Sequence, residues 1–480
     1  MIPDRLRAVI DRTRPLADAF AAEGHRLYLV GGAVRDFFVG DESPGRVGED
    51  DDAADVDLTT DAVPERITAI VGPLADAVWT TGIRFGTVGC QVQGTTYEIT
   101  THRAEAYRPE SRKPDVEFST RVEDDLSRRD FTINAMALEV TSASPQLIDP
   151  FDGLADLHGR RLRTPVDPEQ SFDDDPLRMM RAARFLARFD LEPDPALVAA
   201  VEAMAARMEI VSAERVRDEL CKLVVVPDPG RGLWFLHDTG LSDTFLPELA
   251  GLRLEQDPIH RHKDVLTHTI AVVAKAPPRV RVRLAALFHD VGKPRTRAIG
   301  DGGVSFHHHE VVGARMTRDR MRALKFSNDM VAEVTELVYL HLRFHTYDMG
   351  WTDSAVRRFV RDAGPLLDDL MDLTRSDCTT RNRRKAERLE SNLDELASRI
   401  ADLRSREELA AIRPDLDGAE VMAHLGIAPG REVGEALAHL LELRLEHGPL
   451  DREAALAELD AWWIRRTGTP SSGTISPGGH

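Results

Sequence analysis

Two carboxylates spaced by one residue, Asp55 and Asp57, follow shortly after a Gly31-Gly32 pair that ends the apolar run Leu27–Val30. Residues i and i+2 of a strand share a face, so the two acids would present oxygen ligands side by side to a hard cation such as magnesium. With no Cβ in the way, the Gly pair lets backbone approach a ligand closely, and the amides that open the next helix-like segment suit an anion. That order suggests phosphate and metal chemistry. Tyr97-Glu98-Ile99-Thr100-Thr101-His102-Arg103 alternates as a strand, and Glu98 reads either as a third carboxylate near the metals or as a surface acid. Adjacent Arg128 and Arg129, ahead of Asp130 to Ala135, either clamp a triphosphate or ribose or belong to a solvated turn.

A third stretch runs Asp173-Asp174-Asp175-Pro176-Leu177-Arg178-Met179-Met180-Arg181-Ala182-Ala183-Arg184. Pro176 suits the first position of a helix, which makes Asp175 its N-cap. On this helix Met179, Ala182, Ala183 and Leu186 share one arc, while Arg178, Arg181, Arg184 and Arg188 form a basic face with no acid four residues on. A carboxylate beside a guanidinium offers an acceptor next to donors. That matches the pairing edges of cytosine and adenine and mismatches those of uracil and guanine. Such a pair can choose C or A without a template.

Farther along, His268, His289-Asp290, His309, His341 and Asp377 fall on successive helical segments. Imidazoles and carboxylates of this kind bind divalent transition metals. His307 and His308, with His262 and His345 nearby, read as spectators.

The elements that must position these groups change character along the chain. Residues 1–25 pattern as an amphipathic helix, and 26 to 140 as short strands between Gly and polar turns, a small α/β head. The segments Gly40 to Asp52 and Ala104 to Ser119 read as flexible loops. Beyond Leu147 the pattern is helical: 176–189, 196–208, 213–226, 264–275, 281–290, 310–323, 329–343, 354–361, 366–400 and 433–466. The expected fold class is an α/β head with a small mixed sheet (1–145), an all-α neck (146–250), a helical body (251–400), a helical tail (401–467) and a disordered end (468–480). At 480 residues, three or four domains fit the usual ~100–200 residues each.

No run approaches the ~20 apolar residues of a membrane span, and Met1 to Ile10 carries Asp4, Arg5 and Arg7 where a signal peptide needs an apolar core. A cytoplasmic, membrane-free protein is expected. Three scattered cysteines fit reduced thiols and give no zinc spacing. A formal charge of −19 argues against nucleic acid as partner, but dense arginines at 128–129, 160–163, 178–188, 357–358 and 381–385 leave room for a basic channel on an acidic body.

The segments LVGGAVRD, DVD, EITTHR, RRDFTINA, DDPLRMMRAARF and ERVRDEL, in this order, resemble those of the bacterial class II tRNA nucleotidyltransferases (CCA-adding enzymes) of the polymerase-β-like superfamily, which also holds the bacterial poly(A) polymerases. The resemblance covers roughly residues 25–225. It implies that Asp55 and Asp57 hold magnesium, and that Gly32, Arg35 and one or both of Arg128 and Arg129 contact the nucleotide. It further implies that Asp175 and Arg178 read the base and that Arg181 and Arg184 help to bind it. Glu214-Arg215 and Glu219 match a helix motif read as structural. The implied reaction is metal-assisted nucleotidyl transfer from CTP and ATP to tRNA.

Poly(A) polymerases generally carry a GRRF-like stretch where this chain reads Thr81-Gly82-Ile83-Arg84-Phe85-Gly86-Thr87-Val88, which resembles the CCA-adding pattern. Leu287-Phe288-His289-Asp290-Val291-Gly292-Lys293 resembles the HD phosphohydrolase superfamily. The order H…HD…H…H…D through His268, His289, Asp290, His309, His341 and Asp377 matches its fuller pattern. Three rivals stand beside CCA addition: poly(A) synthesis, an HD phosphohydrolase with an inactive head, and a non-catalytic RNA-binding protein.

Overall fold

Strand residues of alternating burial build the first layer of the chain. Val56, Leu58, Val88, Cys90, Tyr97 and Ile99 are buried in one apolar cluster, while Asp57 and Glu98 between them are exposed. The computed structural model describes all residues except 1–3, 40–55, 107–114, 143, 255–263, 301–302, 345–346, 348–350, 380–382, 408–411 and 469–480. It divides into two units, 1–253 with 323–326, and 254–322 with 327–480.

The first unit begins α1 (Asp4–Ala22), β1 (Leu27–Val30), α2 (Gly32–Phe38), β2 (Val56–Thr60), α3 (Pro64–Val71), β3 (Ala77–Trp79), β4 (Thr87–Val92) and β5 (Thr95–Thr101). It continues β6 (Arg103–Ala106), β7 (Asp115–Phe118), α4 (Val122–Ser127), β8 (Ala137–Glu139) and β9 (Leu147–Ile148). Seven strands make one mixed sheet in the order β3-β4-β5-β2-β1-β8-β9, with β2 and β5 parallel. One face packs on Leu6, Leu16 and Phe20 of α1 and on Ile67 and Val71 of α3. The other carries a smaller cluster of Tyr28, Val30, Val122, Leu126, Ala135 and Ala137 and stays open beside it.

Helices follow: α5 (Gly153–His158), α6 (Pro168–Asp174), α7 (Leu177–Phe189), α8 (Pro195–Met204), α9 (Ala213–Val224), α10 (Gly230–Asp238), α11 (Ser242–Phe245) and α12 (Pro247–Ala250). α7 packs against both α9 and α10. Ten of its thirteen residues are buried, so it is a central helix and not a half-solvated one.

The second unit is helical apart from one antiparallel strand pair, Ala298–Gly300 with Gly303–Ser305: α13 (Val265–Lys275), α14 (Val280–Phe288), α15 (Lys293–Thr296), α16 (His309–Ala323), α17 (Asn328–Leu340), α18 (Asp353–Ala363), α19 (Leu367–Asp377) and α20 (Arg383–Arg406). It closes with α21 (Gly418–Leu425), α22 (Arg431–His447) and α23 (Arg452–Thr467) around Leu416, Val421, Ala436, Leu440 and Leu459.

Several expectations need correction. The single helix expected over 366–400 breaks after Asp377, where Cys378 leaves helical geometry. The one expected over 433–466 breaks at Gly448 (φ 86°), before Pro449, and restarts behind an Asp451 side-chain cap. Within Ala104 to Ser119, β6 and β7 form an antiparallel pair where a loop was expected. The flexible stretch Gly40 to Asp52 and the tail from 469 onward lie outside the described residues.

Candidate functional site

Asp57 and Glu98 face each other in register across the parallel β2–β5 pair, so their side chains share the open face of the sheet. Asp55 lies outside the described residues. A cavity of about 340 Å³ opens there, lined by Asp57, Glu98, Thr100, Arg103, Asp125, Arg128, Arg129 and Arg178, with Val30 and Leu58. Two exposed carboxylates side by side, in one cavity with a bank of arginines, form a donor set suited to a hard cation and a polyphosphate together.

Local structure explains how these groups meet. Gly31, at φ +72°, turns the end of β1 into α2, and a Cβ there would fall 3.0 Å from Arg129 Nη1. The glycine thus admits the guanidinium beside Asp57. Arg129 is also held by Asp125, four residues earlier, at 3.2 Å. Arg178, on the first turn of α7, donates to Ser171 Oγ (2.8 Å), Ser171 O (3.3 Å) and the Arg128 carbonyl, which ties the neck to the arginine bank.

Asp175 sits between α6 and α7. Its Oδ1 accepts from Leu177 N at 3.2 Å and its Oδ2 from Arg215 Nη2 at 2.8 Å. The capping role expected for it is present, one residue earlier than a strict N-cap. Its side chain makes no contact with Arg178; its partner is Arg215 of α9.

The basic face expected on α7 is corrected by the packing, because acids from other elements meet its arginines. Arg181 donates to Asp130 Oδ2 through Nε (2.8 Å) and Nη2 (2.5 Å). Arg184 is buried and bonds Glu219 of α9. Arg188 lies 4.0 Å from Asp36. Burial alone would push the Asp130 carboxyl up, yet Arg181, Asn134 and Arg178 hold it below its ordinary range. Asn134 donates to Asp130 and accepts from Arg35 (2.5 Å), whose guanidinium is buried over the Phe189 ring, 4.4 Å from its centroid. Burial pulls the Arg35 guanidinium below its ordinary value. Arg35, Arg181 and Arg184 therefore line an internal network and do not line the cavity, whereas Gly32 packs against Arg35.

The second unit gathers all six residues expected there into two groups, His268 with His289 and Asp377, and Asp290 with His309 and His341. The Nδ1 atoms of His289, His309 and His341 donate to the carbonyls of Ala286 (2.7 Å), Phe306 (2.8 Å) and Val338 (2.6 Å). Each bond fixes the tautomer and turns Nε2 inward. The Nε2 atoms of His309 and His341 stand 3.3 Å apart, and those of His268 and His289 3.2 Å. Because the Nδ1 atoms of His309 and His341 both donate, neutral imidazoles there would oppose lone pairs at 3.3 Å, so that group fits a cation. Burial would push the Asp290 carboxyl up, but His289 and hydrogen bonds from His289 and His309 hold it well below its usual range. Burial, aided by His289, pulls His341 down to about 3. His307 and His308 are exposed outside both groups, and His262 and His345 lie outside the described residues.

Sequence reasoning missed Arg103, Thr100 and Asp125 on the cavity wall and Arg215 on Asp175. It also missed Lys293 Nζ, 2.7 Å from Asp290, and Thr379, 2.8 Å from His268. Asp125 left a local mark in its i,i+4 spacing to Arg129, while Thr100, Arg103, Arg215 and Lys293 stood inside the motif segments with no such role assigned.

Among the described residues no helix is long and apolar enough to cross a membrane. Residues 27–163 match the model of the poly A polymerase head domain, 190–252 that of the probable RNA and SrmB-binding site of polymerase A, and 265–382 that of the HD domain. An A-adding tRNA nucleotidyltransferase of Deinococcus radiodurans is 39% identical over 342 residues, 67% of this chain and 75% of that protein. A CCA-adding enzyme of Levilactobacillus brevis is 37% identical over 253 residues, 52% of this chain and 59% of that one, so the match spans less than two thirds of that relative. The crystal structure of the Bacillus stearothermophilus CCA-adding enzyme in complex with CTP superposes with a TM-score of 0.69 at 25% identity, over 95% of this chain and 98% of that one. The chain belongs to the tRNA nucleotidyltransferase family, with a poly A polymerase-type head and an HD domain.

Proposed function

We propose that the chain adds C, C and A to the 3′ end of tRNA, from CTP and ATP and without a template, in the cytoplasm. The observation that carries this reading is the register of Asp57 with Glu98 on a wall that also holds Arg128, Arg129 and Arg178. Asp57 and Glu98, with Asp55, would hold magnesium, which when bound makes the primer hydroxyl more acidic and neutralises the leaving pyrophosphate. Arg128 and Arg129 carry the triphosphate as paired guanidiniums. Asp175 and Arg178 face the base edge, one accepting and the other donating, which favours cytosine and adenine over uracil and guanine. Arg178 is steadied for this by Ser171 and the Arg128 carbonyl.

A second reading, addition of the terminal A alone, is favoured by the greater identity and coverage of the A-adding relative. One assay decides among the readings: tRNAs lacking CCA, CA or A are incubated with magnesium and each nucleotide. Addition of all three residues supports CCA synthesis. Extension of only the tRNA that ends in CC selects A addition, and a long A-tail on any RNA selects poly(A) synthesis.

For the second unit, His268, His289, Asp290, His309, His341 and Asp377 would hold a divalent transition metal, which when bound activates water against phosphoesters. Terminal 2′,3′-cyclic phosphates and 2′- or 3′-phosphates of damaged tRNA are the substrates this suits. Phosphate release that survives His289→Ala would remove the cluster from the reaction.

A further inference from the structure

We infer that Trp79 is the stacking platform for the unpaired 3′ end of the RNA primer, on the nucleotidyl-transfer reading of the head. Trp79 pairs in register with Gly89, Gly89 with Glu98, and Glu98 with Asp57, so one row crosses β3, β4, β5 and β2. Directly opposed residues of neighbouring strands share a face, and each step is about 4.8 Å. The adjacent row, Val78, Cys90, Tyr97 and Val56, points to the other face, where all but the edge residue Val78 are buried in the core, which puts Trp79 and the two carboxylates together on the open side.

The indole does not merely sit at the edge of this row; it reaches inward along it. A Cβ on Gly89 would fall 2.0 Å from Trp79 Nε1 and 2.2 Å from Cε2, so the ring lies across the glycine toward Glu98. Glycine is required there because any side chain would expel the ring. Trp79 is 37% exposed, and its indole N–H makes no hydrogen bond among the described residues. A tryptophan kept for core packing would be covered and its N–H satisfied.

The reaction supplies the occupant. A primer 3′-hydroxyl that attacks at ions held by Asp57 and Glu98 must place its own base within a nucleotide's length of Glu98. Arg128, Arg129 and Arg178 line the cavity together with Asp57 and Glu98, where the incoming triphosphate belongs, and Trp79 lies outside that lining. The primer end also changes base with each addition. A platform for it must therefore bind every base, which an aromatic face does because all bases stack. Selection is then left to Asp175 and Arg178, and binding of the growing end to Trp79.

The test uses the full chain with Trp79→Ala, Trp79→Phe and Gly89→Ala. Trp79→Ala and Gly89→Ala should raise KM for tRNA about ten-fold or more and leave KM for CTP and ATP within about two-fold, while Trp79→Phe retains most of the wild-type value. Without nucleotide or magnesium, the emission lost in Trp79→Phe relative to wild type should be the part quenched by an RNA minihelix ending in unpaired CC. An unchanged KM for tRNA in Trp79→Ala or Gly89→Ala overturns the assignment. So does an equal rise in the KM for CTP and ATP, or a Trp79 emission that the minihelix leaves unaltered. If the wild-type protein transfers no nucleotide, the reading of the head fails, whereas the quenching measurement still decides the role of Trp79.

Discussion

Arg184 separates a binding role from a packing role. The family resemblance implies that it helps to hold the nucleotide, yet the residue is 7% exposed, and its guanidinium bonds Glu219 (3% exposed) and lies 4.4 Å over the Phe185 ring. Glu219→Ala leaves the guanidinium buried with no counter-charge. Removing one partner of a buried pair costs about 3–5 kcal/mol, because the remaining charge is desolvated without compensation. Set against a typical total of about 5–15 kcal/mol, that is a large share. For a unit of this size each kcal/mol shifts the melting temperature by about 2–4 °C, so calorimetric unfolding should fall by about 6–20 °C. The paired replacement Arg184→Met with Glu219→Leu removes both charges, keeps the volume apolar and should recover most of the loss. KM for CTP and ATP should stay near wild type in the paired variant. A Glu219→Ala protein that melts within about 2 °C of wild type and binds nucleotide ten-fold more weakly would refute the packing role.

Arg215→Ala should relax base choice, raising incorporation of UMP and GMP relative to CMP and AMP about ten-fold, the scale of one charge-assisted hydrogen bond; the ratio is read from single-nucleotide extension gels. The Asp130 carboxyl is held below its ordinary value of 3.8, so on acidification the unfolded chain takes up its proton first. Its stabilising contribution is therefore complete above that value and is lost as pH falls through the lower folded one. Asp130→Asn should flatten the fall in unfolding midpoint measured between about pH 5 and pH 2. In the second unit, stripping divalent ions with a chelator should lower the melting temperature and re-addition of Mn²⁺ or Ni²⁺ restore it. In His289→Ala both responses should disappear, while nucleotide addition at the head persists.

The parts of this molecule that follow from short-range patterning were legible in the sequence. Strand alternation put Asp55 and Asp57 on one face, and it left Glu98 ambiguous until its register with Asp57 was known. The His and Asp residues of the second unit were recognisable by type and order, although their meeting needs four helices and the turn after α14. The arginines of α7 were misjudged for a physical reason. A helical wheel shows which residues share a face but not what lies against it. Asp130, Glu219 and Asp36 reach that face from residues far away in sequence. The helix breaks at Cys378 and at Gly448 were hidden because apolar periodicity continued across both.

On the proposed reading, base selection by Asp175 would rest on what already holds its carboxylate. One oxygen accepts from the Leu177 amide and the other from Arg215, so both are oriented before any nucleotide arrives. A carboxylate has about four lone-pair positions, and these two bonds leave capacity to accept an exocyclic amine while removing the freedom to rotate away. Arg178 is fixed in the same manner by Ser171 and the Arg128 carbonyl, and does not lean on Asp175. Had the two side chains paired with each other, a base would have to break that pair to be read. Held apart by separate partners, they would present acceptor and donors to the base at no such cost, and Arg215, grouped by sequence with the structural residues, would then belong to the reading device.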